Sequence, residues 1–408
     1  MPANATIALD LSRLLSRAGR ETATGIDRVE LAYAEHALKT ASKSCFAAMS
    51  PLGSIGLLPW DRVASFVTET AAAWRGEADR VPGMLRLSRC LKAGTVWRGT
   101  GALTAQMRRG GKHPAYLLVS HHHLEQRSAI TRVKQRSGGR FVCLIHDLIP
   151  IHFPEYAKLG QNNVHLRRIQ SAVDLADAVI VNSAITRDTL LPHLETAGRK
   201  TPVLVAPFGT DLPQLPKLPE PEPPPERPYF VYVSTIEARK NHLLLLNLWR
   251  DMAGELGAEA PMLVLLGARG WESENVFDML DRCPAVQDSV IEHKSLPDIE
   301  MVRLLRGARA VLLPSFAEGF GFPLLEGLAL GTPALCSDLR ALRDTGGTVP
   351  EYLHPLDGVG WRQAILDYAA PQSPRRAAQL ERLKHWRPVS WDDHFAAVDA
   401  LIEKTVSA

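Results

Sequence analysis

Two glutamates eight residues apart, Glu318 and Glu326, bracket a glycine-containing turn in residues 314–331, PSFAEGFGFPLLEGLALG. Gly319 and Gly321 lie between them, and a helical apolar pattern of Leu324, Leu325, Leu328 and Leu330 opens at Pro323. Proline suits a first helical turn because the N–H it lacks would be unpaired there anyway. A glycine turn feeding a helix N-terminus presents free N–H groups and a positive dipole end to an anion, and flanking carboxylates accept hydrogen bonds from sugar or ribose hydroxyls. The competing reading is an ordinary strand–turn–helix with solvated glutamates. A second constellation, STIEARKNH at 234–242, places Arg239 and Lys240 together, a guanidinium fork and an ammonium that suit a diphosphate, or else a solvated basic loop. His146-Asp147 follows the apolar run FVCLI. The adjacent His121, His122 and His123 alternate faces on an extended segment, which suits a polar strand end or acceptor contacts better than a shared metal ion.

These residues share a position: each follows a short apolar run. Before residue 213 the runs are Tyr116–Ser120, Phe141–Ile145, Val179–Asn182 and Val203–Ala206. After residue 228 they are Tyr229–Val233, Met262–Leu266, Ser289–Glu292, Ala310–Pro314 and Pro333–Cys336. Runs without period-2 alternation, separated by helix-length segments, predict parallel sheets covered on both faces. In such sheets ligands collect beyond the carboxyl ends of the strands, where the polar residues stand here. Eight of the sixteen residues of 213–228 are proline, an extended linker between two doubly wound α/β domains. The predicted division is an N-terminal domain over 1–212, the linker over 213–228, a C-terminal domain over 229–389 and a closing segment over 390–408. Within that last segment a helix is expected at about His394–Lys404, with Ser390-Trp391 as a packing anchor.

Composition narrows the class. The 408 residues exceed one ordinary core, and 46% hydrophobic with 22% charged content excludes fibrous and disordered chains. The five cysteines are odd in number with no C-x-x-C pair, so neither a disulfide framework nor a zinc ribbon is expected, and a reducing cytoplasm is the natural setting. The start of the chain lacks a leader pattern, and no run of about 18 apolar residues occurs. No complete G-x-G-x-x-G or G-x-x-x-x-G-K-[ST] motif supports dinucleotide or ATP chemistry, and nucleic acid is not among the expected partners. The net charge of +3 conceals 27 basic against 16 acidic residues in 1–200, and 20 against 28 in 201–408. Within the basic half, residues 83–112 hold seven Lys and Arg, no acid, and interleaved Met84, Leu85, Leu87, Leu91, Trp97, Leu103 and Met107. That stretch predicts either a surface for anionic membrane or a core helix with a solvated basic face, interrupted by Gly94, Gly99 and Gly101.

STIEARKNHLLLL, LVLLGARGW and LLPSFAEGFGFPLLEGLALGTPALCSDLRALRDTGG together resemble the family 4 retaining glycosyltransferases, with likeness to bacterial O-antigen and exopolysaccharide mannosyltransferases. TGIDRVELAYAEHAL, HDLIPIHFPEY, VIVNSAITRDTL and APFGTD resemble that family's first domain. The resemblance implies the GT-B fold, two Rossmann-like domains facing each other across a cleft. It implies that Glu318 contacts the donor sugar, helped by the backbone around Gly319, Phe320, Gly321 and Phe322. Glu326 would bind the ribose, Arg239 and Lys240 the diphosphate, His146 the sugar, and Gly25 would let the first loop approach the phosphates. Ser234 and Thr235 stand where many members carry a further glycine and basic residue.

The implied reaction moves a hexose, mannose from GDP-mannose favoured, from a nucleotide diphosphate sugar to a saccharide or lipid-linked saccharide acceptor in bacterial polysaccharide synthesis. The donor is a substrate, and neither a cofactor nor a metal is expected, since no D-x-D pair is present to hold a divalent ion on a diphosphate. The expected location is cytoplasmic, with peripheral contact at the inner face of the membrane through residues 83–112. A non-catalytic scaffold binding a sugar nucleotide or partner, and a sugar-nucleotide epimerase, are the alternative readings. The complete Glu318/Glu326 and Arg239/Lys240 set argues against the scaffold, and the E-G-F-G turn against the epimerase.

Overall fold

The computed structural model describes residues 6–20, 22–39, 44–109, 113–212 and 227–407. The chain forms two compact units, one of Met1–His152, Gly160–Gly209 and Val389–Ala408, the other of Phe153–Leu159 and Thr210–Pro388. Most of the proline-rich linker expected at 213–228 lies outside the described residues.

Unit 1 is built on seven strands: β1 (Ile7–Asp10), β2 (Ser44–Met49), β3 (Ile55–Leu58), β4 (Ala115–Leu118), β5 (Arg140–Ile145), β6 (Ala178–Val181) and β7 (Val203–Val205). Their order in the sheet is β3-β2-β1-β4-β5-β6-β7, parallel throughout except for the β2–β3 hairpin. Apolar residues on the inner strands are buried on both faces, as helices packed on either side of a parallel sheet require. The chain leaves β1 toward β2 on one side and returns to place β4 on the other, so the topological switch falls between β1 and β4.

Unit 2 repeats the plan with β8 (Tyr229–Val233), β9 (Met262–Leu266), β10 (Val290–His293), β11 (Val311–Leu313), β12 (Ala334–Ser337) and β13 (Glu351–Leu353), ordered β10-β9-β8-β11-β12-β13 and wholly parallel. Its switch falls between β8 and β11. Two apolar clusters, one around Trp249, Trp361 and Tyr368 and one around Leu324, Leu328 and Leu342, fill the two faces. Each unit is thus a doubly wound α/β layer structure of Rossmann type.

The unit boundaries depart from the sequence division at one internal place. Residues Phe153–Leu159, expected within the first domain, group with unit 2, where Tyr156 stacks on Phe316 with ring centroids 5.8 Å apart and Trp271 Nε1 donates to the Tyr156 carbonyl at 3.4 Å. The C-terminal helix runs Trp391–Ser407 and belongs to unit 1. There His394 bonds the Tyr33 hydroxyl at 2.8 Å and the Pro207 carbonyl at 3.0 Å, and Phe395 stacks on His36. Trp391 packs beside Phe208 and stacks on Phe395.

Candidate active site

At the β8/β11 switch point the loops after two adjacent strands exchange side chains. After β8 the backbone enters a short turn, Ala238–Lys240, and then Asn241 in the left-handed region at φ 56°. Asn241 holds that conformation by donating its amide to the carbonyls of Pro314 and Pro355, at 3.1 and 2.9 Å, which fixes the start of helix His242–Leu256. The Phe316 N–H donates to the Arg239 carbonyl at 2.8 Å, tying the β11 loop to the β8 loop. Gly267, at the end of β9, has φ 154°, and a Cβ there would collide with the Ser234 carbonyl, so only glycine lets the β9 loop lie this close.

The result brings Glu318, Lys240 and Arg239 into one cluster. Glu318 Oε1 accepts from Lys240 Nζ at 2.5 Å and from Ser315 Oγ at 2.7 Å, and its Oε2 accepts from Arg239 Nη1 at 3.2 Å. Arg239 also donates to the Ala317 carbonyl at 2.9 Å, and its Nε lies 2.6 Å from Glu237 Oε1. Tyr232 donates its hydroxyl to the Lys240 carbonyl at 2.8 Å and lies 3.2 Å from Ser315 Oγ. The Glu237, Glu318 and Lys240 side chains are largely buried while Arg239 is partly exposed, and the burial is tolerable because every charge is paired. Burial alone would raise the Glu318 pKa, but the charges of Lys240 and Arg239 and the hydrogen bonds from Lys240 and Ser315 outweigh it and hold the carboxyl at about 2. Lys240 is lowered, first by burial and then by Arg239, with Glu318 opposing. His242, beside Tyr232 and bonded to Ser234 Oγ at 3.1 Å, is pushed down to about 3 by burial and by Lys240, so it is neutral.

Glu326 stands on the adjoining helix Phe322–Ala329 and is 3% exposed, not solvated. Its helix begins after Gly321 at φ 89°, where a Cβ would collide with Leu342. Pro323 sits in the first turn, Phe320 and Phe322 pack edge to face, and the Phe320 carbonyl accepts from Thr345 Oγ1 at 2.6 Å. Gly319 lies between this turn and Glu318 and is partly exposed. Sequence reasoning singled out the cations and glutamates of this region but not Glu237, Ser315, Tyr232 or Asn241, which orient them. The first two stand two and three residues before Arg239 and Glu318, a local signal that was available.

In unit 1, His146 stands just beyond the end of β5. It is buried, its Nε2 is 2.8 Å from the Val119 carbonyl, and its own carbonyl accepts from Asn182 Nδ2 at 2.9 Å. A carbonyl only accepts, so Nε2 carries the proton and Nδ1 is left as an acceptor. Burial holds His146 at about 4 and lowers His121 and His165, whose rings complete a neutral aromatic group with centroids 5.3 Å (His121–His146) and 4.7 Å (His121–His165) apart. Among the described residues no group of three or more His, Cys, Asp or Glu side chains could hold a metal ion. Gly25 is the first residue of helix Gly25–Leu38, which Thr24 and Asp27 cap reciprocally while Arg13 and Arg17 neutralise Asp27.

The basic stretch forms helices Val81–Trp97 and Thr100–Arg109, and Lys112 lies outside the described residues. Met84, Leu91, Leu103 and Met107 are core residues, so the apolar face expected for a membrane is largely spent inside the protein. Trp97 at 90% and Val96 at 44% are exposed, as are Arg86, Arg89, Arg98, Arg108 and Arg109. No helix of the described residues is long and apolar enough to cross a membrane.

Two family models match the chain, "Glycosyl transferases group 1" over 216–346 and "Glucosyltransferase 3-like, N-terminal domain" over 120–206. The O-antigen chain mannosyltransferase B of Escherichia coli is 31% identical over 166 residues, 40% of this chain and 43% of that protein. A serotype-specific mannosyltransferase WbdA of Escherichia coli is 24% identical over 224 residues, 51% of this chain and 27% of that protein. The chain therefore spans less than half the length of either. Among solved structures, sucrose-phosphate synthase from Thermosynechococcus elongatus superposes with a TM-score of 0.63 at 16% identity, covering 99% of this chain and all of that one. Anabaena HepE, solved in complex with UDP, gives 0.61 at 13% identity over 99% of both chains. The chain has the GT-B fold, and its sequence is related to bacterial mannosyltransferases of the O-antigen type.

Proposed function

We propose that this chain is a retaining glycosyltransferase that moves a hexose from a nucleotide diphosphate sugar to a saccharide or lipid-linked saccharide acceptor in bacterial polysaccharide synthesis. GDP-mannose is the favoured donor, because the relatives matched by sequence include several named mannosyltransferases. The observation that carries the reading is the charge-paired cluster of Glu318, Lys240 and Arg239 at the β8/β11 switch point, beside the helix that bears Glu326.

When the sugar C1–O bond to the diphosphate breaks, negative charge gathers on the departing phosphate. Lys240, Arg239 and the N–H groups of the Gly319–Phe322 turn supply fixed positive potential where that charge develops. Glu318 receives sugar hydroxyls, Glu326 the ribose pair, and His146, neutral, contacts the transferred sugar. Gly25 keeps the first loop free of a side chain beside the phosphates. Retention follows front-face attack, in which the acceptor oxygen bonds C1 and its proton passes to the leaving phosphate oxygen. No side-chain base is required, and Glu318 and Glu326 are not the paired carboxylates of a glycosidase. The reaction is metal-independent and runs at the cytoplasmic side of the membrane, the protein held there by its basic surface.

A donor screen tests the reading: GDP-mannose, UDP-glucose and related donors incubated with and without octyl glycosides, with released nucleoside diphosphate measured. Release accelerated by a glycoside with GDP-mannose supports it. Absence of release from every donor refutes it, and a preference for a UDP-sugar corrects the donor alone.

A further inference from the structure

Residues Phe153–Leu159 are preceded by His152 and followed by Gly160 of unit 1, yet they pack on unit 2. The Tyr156 ring is the centre of that contact. It stacks on Phe316 of the β11 loop with planes 8° from parallel, and Phe153 of the same segment stacks on it with centroids 6.0 Å apart. The Tyr156 carbonyl accepts from Trp271 Nε1 of the β9 loop, and Lys158 Nζ lies 4.7 Å from the centre of the Trp271 ring. In the sheet β8 stands between β9 and β11. The segment therefore fastens the loops on both sides of the one that carries Arg239 and Lys240.

These loops are not equally anchored. The β9 loop is knitted to the β8 loop, with the Ile236 N–H donating to the Ala268 carbonyl at 3.0 Å and the Gly270 N–H to the Ile236 carbonyl at 2.9 Å. On its far side Arg269 holds it through ion pairs with Glu292 at 2.8 Å and Asp281 at 2.6 Å. The β11 loop carries Phe316 two residues before Glu318, and the Phe316 ring is partly exposed. Its backbone is shared with the charged cluster: the Phe316 N–H donates to the Arg239 carbonyl, and Arg239 Nη1 donates back to the Ala317 carbonyl and to Glu318. A displacement of Phe316 thus moves Glu318 and Arg239 together. Ring stacking is directional, so Tyr156 sets where Phe316 lies, while Trp271 and Lys158 hold Tyr156 to the firmer loop.

We infer that Tyr156 is a positioning residue for sugar transfer, acting through Phe316 on Glu318 and Arg239, an assignment that rests on the glycosyl-transfer reading above. Tyr156 takes no part in the bond exchange at C1. Misplacement of a reacting group by about 1 Å can cost about 100-fold in rate, so a loosened β11 loop shows in turnover first. Nucleotide affinity is affected less, because Glu326 stands on a separate helix, Phe322–Ala329.

Wild type, Tyr156→Phe, Tyr156→Ala, Phe316→Leu and the Tyr156→Ala/Phe316→Leu double variant of the full chain test this. Measured on each are kcat for nucleoside diphosphate release from the donor that wild type uses, GDP affinity by calorimetry, and hydrogen exchange of residues 314–321 by mass spectrometry. Tyr156→Ala is expected to lower kcat about tenfold or more, to keep GDP affinity within about threefold, and to speed exchange in that segment. Tyr156→Phe, which keeps the stacked ring, is expected to match wild type in all three. The double variant is expected to be no slower than the slower single one, because two residues acting through one contact are not additive. Unchanged kcat or unchanged exchange in Tyr156→Ala overturns the inference. So does an equal loss in Tyr156→Phe, a double variant whose losses multiply, or a fall in GDP affinity as large as the fall in kcat. The transfer reading fails by a different result, the lack of nucleoside diphosphate release by wild type from any donor, and the exchange comparison then decides alone whether Tyr156 positions the loop.

Discussion

Lys240 Nζ lies 2.5 Å from Glu318 Oε1, a pair buried across the β8/β11 switch point and joined from the other side by Arg239. The cations assigned to the diphosphate are therefore preorganised by the carboxylate assigned to the sugar. Glu318→Gln keeps the shape and removes the negative charge. Turnover is expected to fall by about 100-fold or more, the scale of losing a group that stabilises the transition state. GDP or UDP affinity, by calorimetry, is expected to hold or rise because Lys240 and Arg239 lose their competitor. A parallel fall in nucleotide affinity counts against the assignment.

The same pair sets a dependence on pH. The Glu318 carboxyl is held at about 2 against an ordinary value of 4.5, so the folded state binds its proton less readily than the unfolded chain does. Its contribution is fully present above pH 4.5 and fades as pH falls toward about 2, with a ceiling of about 3 kcal/mol. The stability difference between wild type and Glu318→Gln, from urea unfolding at successive pH values, is expected to shrink across that window. A difference that stays constant down to pH 3 is incompatible with the pairing.

Glu326 carries a separate expectation. Losing the acceptor for a buried ribose hydroxyl pair leaves polar groups unpaired at about 1–3 kcal/mol. Glu326→Ala is therefore expected to weaken the intact donor and the free nucleoside diphosphate together, by tenfold or more at the middle of that range. Unchanged nucleoside diphosphate affinity removes Glu326 from the site.

How much of this could be read beforehand depended on the kind of signal. The doubly wound plan was legible in strands such as FVCLI, VIVN and YFVYV, whose uninterrupted apolar runs reflect burial on both faces. β1, β2 and β3 were not legible, because IALD carries an alanine and an aspartate, SCFAAM is rich in small residues and IGLL contains Gly56 at an edge hairpin. Arg239, Lys240 and Glu318 were legible as types at strand ends, but not their pairing, because 78 residues separate Lys240 from Glu318 and only the strand order brings them together. Glu30, fully buried on helix Gly25–Leu38, gave no warning. On an amphipathic helix a glutamate reads as solvated, and its burial arises from the β1/β4 crossing.

The electrostatic account of leaving-group departure makes added metal unnecessary. Arg239→Ala and Lys240→Ala are each expected to lower turnover about 100-fold or more, while EDTA leaves the wild-type rate nearly unchanged. Loss of activity on chelation, recovered with magnesium or manganese, overturns the metal-independent scheme.

The membrane expectation changes form with the structure. Met84, Leu91, Leu103 and Met107 are committed to the core, so an amphipathic helix lying flat in lipid is not the geometry available. What remains is Trp97, 90% exposed at the end of helix Val81–Trp97, with Val96 beside it and exposed Arg86, Arg89 and Arg98 in the same segment. Tryptophan partitions to the headgroup region, and each basic residue near an anionic surface contributes about 1 kcal/mol. Wild type is expected to sediment with phosphatidylglycerol-containing vesicles and not with phosphatidylcholine vesicles, less so as salt shortens the Debye length. Trp97→Ala is expected to weaken that binding several-fold, and the triple change of Arg86, Arg89 and Arg98 to Gln to abolish it. Both are expected to leave nucleoside diphosphate affinity untouched, since these residues lie in unit 1 while Arg239, Lys240 and Glu326, the side chains proposed to hold the nucleotide, lie in unit 2. Equal partitioning onto the two vesicle types, or none onto either at low salt, removes the membrane surface as a partner and leaves the transfer reading standing.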